Sequence, residues 1–143
     1  MFLLYHEIFH LTVGFFIGAL YYFKTRDFKL LIIAVLTSLL LDAGHWVDYL
    51  LFALPSKNII LVEFFSTRYF AASGKIYVPL HNYELVMVLG GIGALFRKYR
   101  YHLWTVSIAI LAHILIDQLT YKPVIWEYFL TYRVLNNFSI SVF

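Results

Sequence analysis

Ten ionisable side chains sit in stretches of this chain that are otherwise apolar enough to lie in lipid, and that placement limits the fold more than any other feature. They are His6, Glu7, His10, Asp42, His45, Asp48, His81, Glu84, His113 and Asp117, which make up five of the six histidines and five of the eight acidic residues. A carboxylate at mid-membrane costs about 2.5–3.5 kcal/mol on insertion scales, so five without partners would cost on the order of 10–15 kcal/mol. That rivals the whole stability of a typical domain, about 5–15 kcal/mol. The acids must therefore be paired. The histidines beside them point to a metal as the shared partner.

Composition supports the membrane setting independently. With 62% hydrophobic and 13% charged residues, a chain of 143 has too little polar surface for a soluble globule. The expectation is an all-α integral membrane protein, a single domain over 1–143, with four spans at about 3–23, 30–54, 76–96 and 103–121 forming a four-helix bundle. Residues 58–75 and 124–143 mix apolar and charged side chains and suit segments lying in the membrane interface. Met1-Phe2-Leu3-Leu4 has no basic n-region, so the first apolar stretch reads as a retained span. The loops 24–29 and 97–102 hold six of the eleven Lys and Arg close to span ends, which places them in the cytoplasm and both termini outside. The net charge of +3 is small and comes from these loops, which argues against a nucleic-acid partner. Gly90-Gly91-x-Gly93 reads as a close helix-packing face, since no strand precedes it as a phosphate loop would need.

The embedded residues share both depth and face. At about 1.5 Å per residue, His10, Asp42, Glu84 and His113 each lie roughly 17–21 Å from the basic loop at the end of their own span. Residues three or four apart share a helix face. His6 and His10, Asp42 and His45, His45 and Asp48, His81 and Glu84, and His113 and Asp117 all have that spacing, so every span contributes a pair. Pairs from facing helices are a known way to line a metal site in a bundle core. We read His6, His10, Asp42, His45, His81, His113 and Asp117 as metal ligands, Glu7 as the general base, and Asp48 and Glu84 as further ligands or orienting residues of the catalytic site. That is more than one ion needs, which predicts two or more metals. With no cysteine, the donors are nitrogen and oxygen alone. Such a set suits zinc best, and manganese or iron next. His102, in a basic loop, is set apart from this group.

Three other readings compete. The polar residues would make a network that staples the helices by hydrogen bonds, but such bonds average only about 0.6 kcal/mol and do not call for ten ionisable groups. They would line a proton or metal path, but the cytoplasmic halves of the spans are almost purely apolar. Finally, His6-Glu7-Ile8-Phe9-His10 is an H-E-x-x-H motif, and Leu41-Asp42-Ala43-Gly44-His45 resembles the L-D-G element of intramembrane zinc proteases. That match leaves His81, Glu84 and His113 unexplained.

A wider resemblance covers all four spans. The chain resembles the small bacterial inner-membrane proteins called membrane-bound metal-dependent hydrolases, distant relatives of zinc-dependent phospholipase C. Their L-L-P-D-x-D-H element is similar to Leu39-Leu40-Leu41-Asp42-Ala43-Gly44-His45, and their S-H-x-x-x-D-x-L-T element to the stretch from Ala112-His113 to Asp117-Gln118-Leu119-Thr120. The short histidine motif before the third span is similar to Pro79-Leu80-His81-Asn82-Tyr83, with Pro123 and Trp126 following the fourth. Leu41 stands where the family has proline and Gly44 where it has a second aspartate. A histidine expected just upstream of His81 is absent. The resemblance implies hydrolysis of a phosphoester or other ester in a membrane lipid or lipid-linked substrate, reached from the outer leaflet.

Overall fold

A computed structural model describes residues 2–56, 59–120 and 124–142. Pro123, and residues 58 and 143 of the expected interfacial segments, lie outside the described residues.

The first helix, α1 (Phe2–Thr25), ends where Arg26 takes a φ of 60° and its N–H bonds to the Tyr22 carbonyl at 2.7 Å. That single left-handed residue reverses the chain. Asp27 then starts α2 (Phe28–Leu40) by accepting from the Lys29 N–H at 3.0 Å, as an N-cap should. Glycine lets the two helices touch: a Cβ on Gly18 would sit 2.7 Å from the Leu31 Cα. Gly18→Leu is accordingly expected to force the pair apart and destabilise the protein by about 1–3 kcal/mol, read as a lower melting temperature in detergent.

A 3-10 turn over Leu41–Ala43 joins α2 to α3 (Gly44–Ala53), so that Phe28–Ala53 is one apolar stretch with a change of pitch in it. Two short helices, α4 (Leu61–Ser66) and α5 (Arg68–Ser73), fold back on α3. Their anchor is an aromatic cluster of Trp46, Tyr49, Phe64 and Tyr69, with Trp46 and Phe64 stacked at 4.1 Å. Next come α6 (Tyr83–Leu95), α7 (Arg100–Thr120) and the short α8 (Leu130–Leu135). The tail pairs with the segment before α6 through Ile76 N–H to Phe138 O at 2.9 Å and Ile140 N–H to Gly74 O at 2.9 Å.

Helix α7 is the hub on which α1, α2 and α6 all pack. Of the α6 glycines, Gly90 and Gly93 meet it, while Gly91 faces open space. A Cβ on Gly93 would fall 2.6 Å from Trp104 Cδ1, and Trp104 Nε1–H donates to the Gly90 carbonyl at 3.1 Å. Leu41, Ile110 and Ile114 form the buried centre. The outside is apolar: Phe15, Phe16, Leu20, Leu95 and Leu119 are all exposed. Such a surface belongs in lipid, and the protein is a membrane protein.

Among the described residues, three helical stretches are long and apolar enough to cross a bilayer: Tyr5–Thr25, Phe28–Ala53 and Arg97–Thr120. The expected third span at 76–96 differs. Helix α6 has 13 residues, about 20 Å at 1.5 Å each, which falls short of a hydrocarbon core of about 30 Å. Residues 76–82 are irregular because Pro79 disfavours helix at the residue before it, Val78 takes a φ of 30°, and Asn82 caps α6 by accepting from the Leu85 N–H at 2.7 Å.

Candidate metal centre

Five elements bring seven of the embedded side chains to one place. Helix α1 presents His6 and His10 one turn apart, and α7 presents His113 and Asp117 in the same way. The 3-10 turn presents Asp42, the first turn of α3 presents His45, and the irregular segment before α6 presents His81. Their donor atoms form four overlapping groups, each within 4.8 Å: His6, His10 and Asp117; His10, Asp42 and His113; Asp42, His45 and His81; His81, His113 and Asp117. These buried clusters could hold metal ions. Asp42 and Asp117 each belong to two groups, so the carboxylates join the histidines into one array.

The distances within the array are mixed. Asp117 Oδ1 lies 2.9 Å from His6 Nε2 and 3.1 Å from His10 Nε2. Asp42 Oδ1 lies 3.4 Å from His45 Nε2, 3.3 Å from His81 Nε2 and 3.4 Å from His113 Nε2. Asp117 Oδ2 stands 3.5 Å from the Nε2 atoms of both His81 and His113. All five histidines turn Nε2 inward, and most of these separations exceed the usual 2.7–3.2 Å of an N–H···O bond. His6 and His10 even bring their Nε2 atoms within 2.8 Å of each other. Among the described residues, seven buried donor or acceptor atoms here have no hydrogen-bond partner: His10 Nδ1, Asp42 Oδ2, His45 Nδ1, and both ring nitrogens of His81 and of His113. A network that existed to bond helices would satisfy those atoms, since each orphan costs about 1–3 kcal/mol. Ligation through Nε2 would account for the Nε2 atoms of His81 and His113 and for Asp42 Oδ2, but not for the four Nδ1 atoms, which a metal bound at Nε2 leaves needing acceptors.

Glu7 is half-buried beside Asp42, within electrostatic reach of His113 and His6. Phe70 covers His45 from the side, its ring 5.7 Å away, and Tyr69 O–H reaches the His45 carbonyl at 3.4 Å. His102 is remote, in the first turn of α7, its Nε2 3.6 Å from Asp27 Oδ2.

Asp48 and Glu84 have different partners. The Asp48 carboxylate accepts from the backbone N–H groups of Tyr77 and Val78 at 2.5 and 2.8 Å. Glu84 accepts from the N–H groups of Leu130 and Thr131 and from the Thr131 hydroxyl, all within 2.9 Å. Between them lies a residue that spacing did not reveal. Arg133 of α8 is completely buried; its Nη1 donates to the Tyr77 and Val78 carbonyls at 2.6 and 2.9 Å, and its Nη2 to the His81 carbonyl at 2.6 Å. Burial lowers the guanidinium to about 10 against the pull of Glu84 and Asp48, so it stays charged at neutral pH. The segment that delivers His81 is thus gripped on both sides, its N–H groups by Asp48 and its carbonyls by Arg133. That grip holds Val78, a β-branched residue, in a conformation it would otherwise avoid. A lone arginine in the apolar tail was the one available signal.

No family model, curated protein or solved structure matches the chain.

Proposed function

We propose that this protein is a membrane-embedded metal-dependent hydrolase that attacks a phosphoester, or another ester, of a lipid or lipid-linked substrate. The observation that carries the reading is the array of five inward Nε2 atoms joined by two shared carboxylates. Its donor set of nitrogen and oxygen suits two or more zinc ions, with manganese or iron as the next candidates. When bound, such ions make a water nucleophilic at neutral pH and neutralise charge on the attacked phosphoryl or carbonyl oxygen.

The protein's own residues supply the rest. His6, His10, Asp42, His45, His81, His113 and Asp117 hold the ions. Two divalent cations would outweigh the carboxylates of Glu7, Asp42 and Asp117, which leaves a positive field suited to a phosphate anion. Glu7, at the margin beside Asp42, is placed to take the proton of the attacking water. Asp48, Glu84 and Arg133 act at one remove by fixing the backbone that carries His81 and the helix that covers it. Helix α6, together with the residues before it, would complete a fourth partial crossing of the bilayer. The excess of Lys and Arg in loops 24–29 and 97–102 orients those loops to the cytoplasm and the site to the outer leaflet.

One observation favours a second reading. His6 and His10 of the H-E-x-x-H motif form a metal group with Asp117 as third ligand, the set a single-zinc protease uses. Under that reading His45, His81 and Asp42 have no task. Purified, metal-loaded protein should cleave phosphodiester lipids in mixed micelles and leave a transmembrane peptide intact. Cleavage of the peptide alone would replace hydrolysis of lipid by proteolysis. Glu7→Gln should retain the metals and lose at least about 100-fold in rate, the range expected for removing a general base.

A further inference from the structure

We infer that the seven ligands divide between two ions of unequal access: a locked ion on His6, His10 and Asp117, and an open, exchangeable ion on Asp42, His45, His81 and His113, with Asp117 facing both. This rests on the metal-centre reading and specifies which side chains hold which ion.

The division follows from one pair of rings. His10 and His113 stack with centroids 3.6 Å apart and only 12° between their planes. The lone pair of a ring nitrogen lies in the plane of its ring, so stacked rings keep their lone pairs in separate, nearly parallel planes. An ion midway between them would stand about 1.8 Å, half of the 3.6 Å spacing, from each plane, which at a Zn–N bond of about 2.0–2.1 Å tilts that bond roughly 60° out of the ring. His10 and His113 therefore serve different ions. The group of His10, Asp42 and His113 is close because two rings stack, and not because three donors converge.

The other histidine pairs are crossed. His6 and His10 meet at 87°, His81 and His113 at 74°, and His45 and His81 at 55°, so each of these pairs can turn its lone pairs toward one point. Asp117 respects the same division. Its Oδ1 lies 2.9 and 3.1 Å from the Nε2 atoms of His6 and His10, and its Oδ2 3.5 Å from those of His81 and His113. Two-metal sites hold their ions about 3.5–4 Å apart, a span that rings stacked at 3.6 Å suit.

Burial makes the two ions unequal. The side chains of His6, His10 and Asp117 keep 7%, 0% and 9% of their exposure, whereas those of His45 and Asp42 keep 31% and 22%. The locked set also stands on two long helices packed together, α1 and α7. Most of the open set comes from the 3-10 turn, the first turn of α3 and the irregular segment before α6. Glu7 lies beside Asp42, on the open side. A substrate oxygen arriving from outside meets the open ion first.

The test is chelation of purified, zinc-loaded protein in detergent by excess EDTA, with released zinc followed over time. One equivalent should leave quickly and a second at least about tenfold more slowly, because buried ligands let go only through local opening. His45→Ala should remove the fast equivalent and keep the slow one. The stacked pair gives the sharper comparison: His113→Ala should lose the fast equivalent and His10→Ala the slow. Release of all zinc from the wild-type protein in a single phase overturns the inference, with no variant needed. Loss of the same equivalent in His10→Ala and His113→Ala overturns it as well. Release is read without turnover, so this division and the hydrolase reading fail separately. Two phases in a protein that cleaves no ester keep the division and remove the hydrolase, and one phase in an active protein does the reverse.

Discussion

Under the proposed hydrolase reading, Asp117→Asn is expected to lower turnover by at least about 100-fold, since even residues that merely orient metal ligands cost 10–100-fold when replaced. Asp117 is the single residue shared by the group on α1 and the group that includes His81. Its Oδ1 faces His6 and His10, and its Oδ2 faces His81 and His113. Asparagine keeps the volume but offers only one acceptor oxygen and no charge, so it cannot join the two groups. Steady-state assay of the lipid substrate checks the rate, and elemental analysis of the same sample should show metal lost in step with it. Retained metal with a lost rate would move Asp117 from ligand to a role in the chemistry.

The second large effect lies away from the ligands. Arg133→Met should destabilise the protein by about 3–5 kcal/mol, the usual cost of removing one partner from a buried charged network. Three carbonyls, those of Tyr77, Val78 and His81, would lose their donor, and Asp48 and Glu84 would lose the positive charge between them. Arg133→Lys keeps the charge but cannot place two nitrogen arms on three carbonyls, and should fall between. Melting temperature in detergent measures the first loss. The readout that separates positioning from mere stability is metal content at a temperature where both variants remain folded. Loss of the grip on residues 77–81 should weaken the sites that use His81 and spare the group of His6, His10 and Asp117.

Much of this centre was legible because a helix is a ruler. Spacing of three and four residues, together with depth from the basic loops, marked the side chains that the structure brings together from α1, the 3-10 turn and α7. Spacing says nothing, however, about where a helix changes course. Asp48 has the same i,i+3 relation to His45 as His45 has to Asp42, yet the two carboxylates diverge. The 3-10 turn at Leu41–Ala43 changes the pitch between them, and Asp48 finds the free N–H groups of Tyr77 and Val78. Glu84 is likewise one turn from His81 in sequence, but His81 precedes the N-cap Asn82 and is not on the helix at all. The apolar run from 76 read as a span, since hydropathy does not register that Pro79 and the φ of Val78 break it. Arg133 was hidden because its partners are backbone carbonyls over 50 residues away, which no local pattern encodes.

The direct test of the central claim is elemental analysis of the purified protein after exhaustive dialysis. The account predicts two or more equivalents of zinc, manganese or iron per chain, lost on chelation with a fall in melting temperature and reduced by His113→Ala. Less than one equivalent, unaltered by that substitution, would contradict it and leave the array as a polar staple between helices.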